Sequence, residues 1–334
     1  MTEEDKKYES MMKNRPHVVL LGAGASCAAI PNGDKNGKKI CAMNGFIDKL
    51  GLTDILRPVT LKTKSDNLED IYMELDARSS EEECARVKER LEKAIYDYMS
   101  DFELPDEPTV YDYLVASLSS KDLIATFNWD PLLVQAVKRI GQKISSDLPH
   151  VAFLHGNVAA GFCEKDSVMG CNGSICSKCG KTLIPTKLLY PVKNKNYDSQ
   201  VPIRKSWNSL NLALENAYMF TIFGYSAPKS DVSALAMLKK AWGDLNTRNL
   251  EQIEFIDLKS EDEIRDSWKD FIHSHHYSCH KSFFDTFLAK YPQKSCSALF
   301  DQTMNCTFLD GSHGIKNGMS FKNLKELIEK QTED

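Results

Sequence analysis

No apolar run in the chain approaches the roughly 18 to 20 residues that a membrane-spanning helix needs. The opening residues, MTEEDKKYES, also lack the apolar core of a signal peptide, so the expectation is a cytoplasmic protein with no membrane partner. Basic charge is not in excess: 42 Lys and Arg stand against 47 Asp and Glu, a formal charge of -5. Without a net positive field there is no overall electrostatic case for nucleic acid as a direct partner. Internal repeats and low-complexity tracts are absent as well, which argues against solenoids and arrays. Of the 10 cysteines, four fall between residues 163 and 179 and the rest scatter singly. That distribution suggests a metal and not a disulfide framework.

What the chain does carry is organised around His17–Cys27, HVVLLGAGASC. A continuous apolar run, Val18 to Leu21, breaks into Gly22-Ala23-Gly24-Ala25-Ser26, as a buried strand does where it turns into a helix. Glycines allow close backbone approach there, so the amides of the turn can face a pyrophosphate; a tight strand-to-helix turn without a ligand is the alternative. Cys27 replaces the third small residue of the dehydrogenase fingerprint.

Further apolar runs end in polar clusters. Leu123 to Thr126 precedes Phe127-Asn128-Trp129-Asp130-Pro131, and Val151 to Leu154 precedes His155-Gly156-Asn157. Tyr218 to Phe223 precedes Gly224-Tyr225-Ser226, and Gln252 to Ile256 precedes Asp257. Helical segments fill the gaps, at Leu132 to Ile140, Ile203 to Ala217 and Val232 to Trp242. Strands alternating with helices predict an α/β fold, a Rossmann-like and mainly parallel sheet whose carboxyl ends bind ligand. The sequence further predicts a polar lead-in over 1–15, a domain over 16–275 and a helical extension over 276–334. Within the domain, residues 44–118 read as a helical insertion and 160–185 as a small zinc ribbon. The turn formers from Pro31 to Gly37 predict a loop able to close over a ligand.

Cys163, Cys171, Cys176 and Cys179 give the spacing C-x7-C-x4-C-x2-C, soft donors in a short polar segment. Four thiolates suit structural Zn2+ in a closed tetrahedron, with free thiols as the alternative. His155 is the group best suited to move a proton near neutral pH, in a strand-tip setting that can open on a cleft. Asn128 and Asp130 offer an amide and a carboxylate to a sugar or a carboxamide, or else an Asx turn capping the next helix. His273, His275, His276 and His280 lack a clear ligand scaffold and read as a polar helix end or loop, with a metal site as the alternative.

In combination, Gly22-Ala23-Gly24-Ala25-Ser26, Thr126-Phe127-Asn128-Trp129-Asp130, His155-Gly156 and Cys176-Ser177-Lys178-Cys179-Gly180 resemble the sirtuin superfamily. The resemblance implies a Rossmann-like NAD domain, with Gly22, Ala23, Gly24 and Ser26 at the phosphates, Asn128 and Asp130 at ribose and nicotinamide, and His155 in catalysis. It further implies phosphate-side and ribose-side contacts from Gly224 and Ser226, and Asp257 near the adenosine ribose. Phe127 stands where deacylating sirtuins carry glutamine, and Leu188 to Lys195 where they carry an element for the acyl-lysine peptide. In these departures the chain is more similar to sirtuin-like NAD-consuming effectors of bacterial antiphage defence. That resemblance implies an NAD hydrolase releasing nicotinamide and ADP-ribose or a cyclic product. It also implies a homo-oligomer, or an activating partner such as an ATPase, an Argonaute-like protein or a phage component. An NAD-dependent protein-lysine deacylase and an NAD-sensing binding module are the alternatives.

Overall fold

Runs such as VVLL are apolar at every position, so as strands they need cover on both faces. The computed structural model, which describes residues 12, 14–40, 46–190, 197–198, 200–227, 231–248 and 250–333, gives them that cover. In chain order the strands are β1 (His17–Leu21), β2 (Leu123–Thr126), β3 (His150–Phe153), β4 (Ala160–Cys163), β5 (Val168–Cys171), β6 (Ile184–Pro185), β7 (Met219–Phe223), β8 (Gln252–Ile256) and β9 (Tyr277–His280). Six of them form one parallel sheet in the order β3-β2-β1-β7-β8-β9. Numbered within that sheet alone, the order is that of a doubly wound dinucleotide fold, with the reversal between β1 and β7. Ligands of such sheets bind outside the carboxyl ends at that reversal.

Side chains alternate across the pleat, and β1 shows it: Val19 and Leu21 enter one apolar cluster, Val18 and Leu20 the other. The first cluster is covered by the helices Ala23–Ala29, Val110–Ala116 and Leu132–Lys143, the second by Val201–Asn216, Val232–Trp242 and Glu261–Trp268. Between β1 and β2 lies the expected helical insertion. Its longest helix, Glu82–Ser100, buries Cys84, Val87, Leu91, Ile95 and Met99, a single stripe at three- and four-residue spacing. The loop after the first helix is tied down by Asp34, whose Oδ1 accepts from the amides of Asn36 and Lys38 at 2.8 Å each.

β4, β5 and β6 form a separate antiparallel sheet in the order β5-β4-β6, within the expected ribbon. The histidine-rich stretch runs into β9, which extends the main sheet to His280, past residue 275. The C-terminal helices pack on the core, where Leu288, Leu324 and Ile328 join the same apolar cluster as Val19 and Leu21. Residues 1–11 and 13 of the lead-in and 191–195 of the LLYPVKNK run lie outside the described residues. Among the described residues, no helix is long and apolar enough to cross a membrane.

Candidate active site and metal centre

The site begins where β1 and β7 end side by side. The Gly22 amide donates to Phe223 O at 3.0 Å, and the Gly24 amide to Gly224 O at 3.0 Å. A Cβ on Gly22 would sit 2.5 Å from Gly224 O, and one on Gly224 only 2.5 Å from the Ala25 amide nitrogen. Gly224 also has φ +60, in the left-handed region that glycine tolerates. These glycines therefore clasp two strand ends together, with the amides of Gly22 and Gly24 bonded to the end of β7 and the residue after it.

Above the clasp is a cavity of about 250 Å3. Gly22, Ala23, Ser26, Asn128, Asp130, His155, Gly224 and Ser226 all line it, drawn from the ends of β1, β2, β3 and β7. Gly24 does not line it. Asp257 lines a small hollow next door that shares Ser226, and its Oδ1 accepts from the Lys259 amide at 2.9 Å.

A buried hydrogen-bond network fixes the polar groups. Asn128 Nδ2 donates to Gly22 O and Ser26 Oγ, each at 2.8 Å, and more weakly to Tyr111 Oη at 3.3 Å. Ser26 donates its one proton to Asp130 Oδ2 at 2.7 Å, so across the 2.8 Å contact Tyr111 donates to Ser26. The amide orientation of Asn128 follows: its NH2 group is tied inward and, among the described residues, its Oδ1 accepts no hydrogen bond. Asp130 Oδ1 accepts from the Leu132 amide at 3.2 Å, an Asx turn at the helix start, so the bland reading of Asp130 and its place in the cavity hold together. Burial raises the Asp130 carboxyl above its ordinary pKa, against the opposing bonds from Ser26 and Leu132. Tyr111 is pushed well above the ordinary phenol value by burial first and by the Asp130 charge second.

His155 leaves the end of β3 through Gly156, whose φ is +76 and whose added Cβ would meet Lys187 O at 2.4 Å. The segment that crowds Gly156 continues to Leu189, whose amide donates to His155 O at 2.8 Å. The imidazole is 7 % exposed and packs against Phe127 at 4.7 Å and Tyr197 at 6.0 Å between ring centroids. Phe127 in turn stacks on Tyr225 at 4.5 Å, and Tyr225 Oη donates to Asp231 Oδ2 at 3.0 Å. Phe127 thus joins an aromatic wall, a role that glutamine could not fill.

Several cavity residues escaped the sequence reading. Glu69, Tyr225 and Asp231 line the cavity, while Tyr111 and Asn157 support it from behind. Asn157 is 1 % exposed and donates to Asn128 O at 3.2 Å and Asp130 O at 2.6 Å, which holds the FNWD backbone in place. Its position directly after His155-Gly156 was a usable signal. Tyr111 gave none, since nothing distinguishes it from its neighbours in a short buried helix.

In the ribbon, Cys163, Cys176 and Cys179 converge with Asp166, their ligand atoms all within 4.8 Å of one another. The expected fourth ligand, Cys171, is not in that group. Register explains it. Cys171 pairs with Ala160 while Cys163 pairs with Val168, so Cys171 lies at the other end of the hairpin and on its opposite face. The Sγ atoms of Cys163 and Cys179 are 3.6 Å apart, and Asp166 Oδ2 is 3.6 Å from Cys163 Sγ and 3.5 Å from Cys176 Sγ. Zn–S bonds of about 2.3 Å and Zn–O bonds of about 2.0 Å give tetrahedral edges of about 3.8 and 3.5 Å, so the donor set fits zinc.

No family model matches the chain, and no curated protein matches it. Among solved structures it is similar to the crystal structure of a Sir2 homologue–NAD complex, at 15 % identity over 89 % of this chain and 94 % of that one, with a TM-score of 0.43. A mutant Sir2 homologue in complex with ADP-ribose matches at 14 % identity over 92 % and 100 %, with a TM-score of 0.44. Sir2 bound to acetylated peptide matches at 14 % identity over 90 % and 98 %, with a TM-score of 0.38.

Proposed function

We propose that the protein cleaves the bond between nicotinamide and ribose in NAD, releasing nicotinamide and ADP-ribose or a cyclic relative. One observation carries the reading: Asn128, Asp130 and His155, from two different strand ends, meet in one cavity at the reversal of a doubly wound sheet. Nicotinamide leaves with the electron pair of the broken bond and becomes neutral, so positive charge moves onto the ribose in the transition state. A preorganised site that restricts water stabilises that charge better than bulk solvent. Asn128 Oδ1 would accept from the attacking water or a ribose hydroxyl and orient it. His155 would take the proton that this oxygen loses as it bonds to the ribose carbon. Asp130 would recognise the carboxamide, and Gly22, Ala23, Ser26, Gly224 and Ser226 would flank phosphate and ribose, with Asp257 toward the adenosine end.

The resemblance of the TFNWD and LHG stretches to antiphage effectors supports NAD depletion as the biological role. Control would then come from self-assembly or from an activating partner. The reading is tested by nicotinamide release from NAD with and without an acetyl-lysine peptide, followed by mass analysis of the products. Peptide-independent release giving ADP-ribose or its cyclic form is the expected result. Release only with peptide, and formation of an acetylated ADP-ribose, would move the chain to the deacylases.

A further inference from the structure

We propose that Glu69, on the helical insertion, is a further ligand-contacting residue of the cavity, whose carboxylate makes the site prefer a cationic aromatic ring over a neutral one. Naming that ring as the pyridinium of NAD rests on the reading above; the charge preference rests on the cavity itself. Three carboxylates line it, those of Glu69, Asp130 and Asp231, and among the described residues no lysine or arginine does. Ile40, Met99, Phe127, Trp129 and Leu189 supply apolar wall between them, so a charge there is screened less than on the surface.

The three acids are not equivalent. Asp130 accepts from Ser26 Oγ and the Leu132 amide, and Asp231 accepts from Tyr225 Oη. The backbone of Glu69 is held firmly: its amide donates to the Asn67 side chain at 2.8 Å, at the start of the helix Leu68–Ala77, and Leu68 beside it is fully buried. Its carboxylate, by contrast, takes part in no hydrogen bond or ion pair among the described residues. Glu74 in the same helix shows the difference, since it accepts from the amides of Lys62 and Thr63 at 2.7 to 2.9 Å and pairs with Arg78 at 2.8 Å.

A second observation gives the direction of its field. The Tyr225 phenol is raised by burial first and by Asp231 next, with Tyr197 and Glu69 adding less. Tyr225 follows β7 and also lines the cavity, so the Glu69 charge acts into the cavity and not only along its own helix. An acid in a first helical turn also offsets the helix dipole. Asp70 lies in that same turn, exposed and outside the cavity lining, and can serve the helix alone. In NAD the positive charge sits on the pyridinium before the bond breaks and on the ribose as it breaks. A fixed carboxylate favours both without moving a proton.

The test is NMR titration of the full chain with two fragments of nearly equal shape, 1-methylnicotinamide, a permanent cation, and nicotinamide, which is neutral. The cation should bind at least about tenfold more tightly, and Glu69→Gln should reduce that preference by about tenfold. Glu69→Asp should retain part of it, and Asp70→Asn all of it. Where the chain cleaves NAD, Glu69→Gln should also lower kcat by about 10²–10³-fold. Equal binding of the two fragments, binding of neither, or a preference unchanged in Glu69→Gln would overturn the inference. A chain that prefers the cation but never cleaves NAD would set aside the proposed reaction and leave the inference standing, whereas NAD cleavage with equal fragment binding would do the reverse.

Discussion

The two ends of the main sheet use their buried polar groups differently. At the amino ends, side chains close the structure. Arg248 donates to the carbonyls of Trp242, Ala217, Leu214 and Glu215 at 2.6 to 2.9 Å, and Arg15 Nη2 reaches Ala217 O at 2.8 Å. The His17 amide donates to Asp122 Oδ1 at 2.8 Å, while its ring lies between Ser295 Oγ at 2.8 Å and Thr221 Oγ1 at 2.7 Å. At the carboxyl ends, glycines let backbone satisfy backbone, as between Gly24 and Gly224. Side-chain atoms such as Asn128 Oδ1 are then left to face a cavity. A closed floor and an open site thus arise from the same strands: side chains bond main-chain carbonyls at both ends, as Asn128 and Asn157 do at the carboxyl ends, but only there do glycines also let backbone satisfy backbone beside a cavity.

That contrast can be broken at either end. The largest effect is expected at the open end, where His155→Ala and Asn128→Ala should each lower NAD cleavage by about 10²–10⁴-fold. Thermal unfolding should stay within a few degrees of the parent, and full turnover in both variants would remove the assignments. At the closed end the expected signature is a pH dependence of stability. Burial depresses the His17 imidazole from 6.5 to about 4, against the weaker pull of Glu254 and Asp122. Unfolded chains therefore bind this proton first, so its contribution is complete above pH 6.5 and is lost as the pH falls toward about 4. The loss amounts to about 3 kcal/mol. Denaturant midpoints measured at both ends of that window should fall less for His17→Gln than for the parent.

Smaller changes sharpen the comparison within the site. Gly224→Ala forces a side chain into the left-handed region and onto the Ala25 amide, which should cost about 1–3 kcal/mol in denaturant unfolding. Tyr111→Phe removes only the hydroxyl that donates to Ser26, at about 1 kcal/mol of stability. Its more telling readout is kinetic. With Asn128 less firmly oriented, kcat should fall about tenfold while KM holds; a change in KM alone would argue that Tyr111 does not position Asn128.

The main sheet was legible because its central strands are mostly apolar runs that stop at glycine or a polar cluster, and β1, β7 and β8 begin and end within a residue of those runs. β9 was not. YSCH has no apolar run, and as a half-buried edge strand it needs none. Glycine at 22 and 24 announced a close approach, but the partner, Gly224, lies two hundred residues away and only the sheet order reveals it. In the ribbon, counting cysteines pointed to Cys171, while the group that meets in space takes in Asp166, which no cysteine count could find. The hydrogen-bond partners Tyr111 and Asn157 show the remaining gap: a residue's type does not say which atom of a neighbour it will orient.

The central claim, that NAD occupies the cavity at the carboxyl ends, is tested most directly by calorimetric titration of the His155→Ala protein, in which turnover no longer consumes the ligand. The account predicts one NAD per chain. It also predicts loss of that binding when Ala23, an exposed residue on the cavity wall, is changed to Trp in the same background. Undiminished binding in a folded Ala23→Trp protein would contradict it.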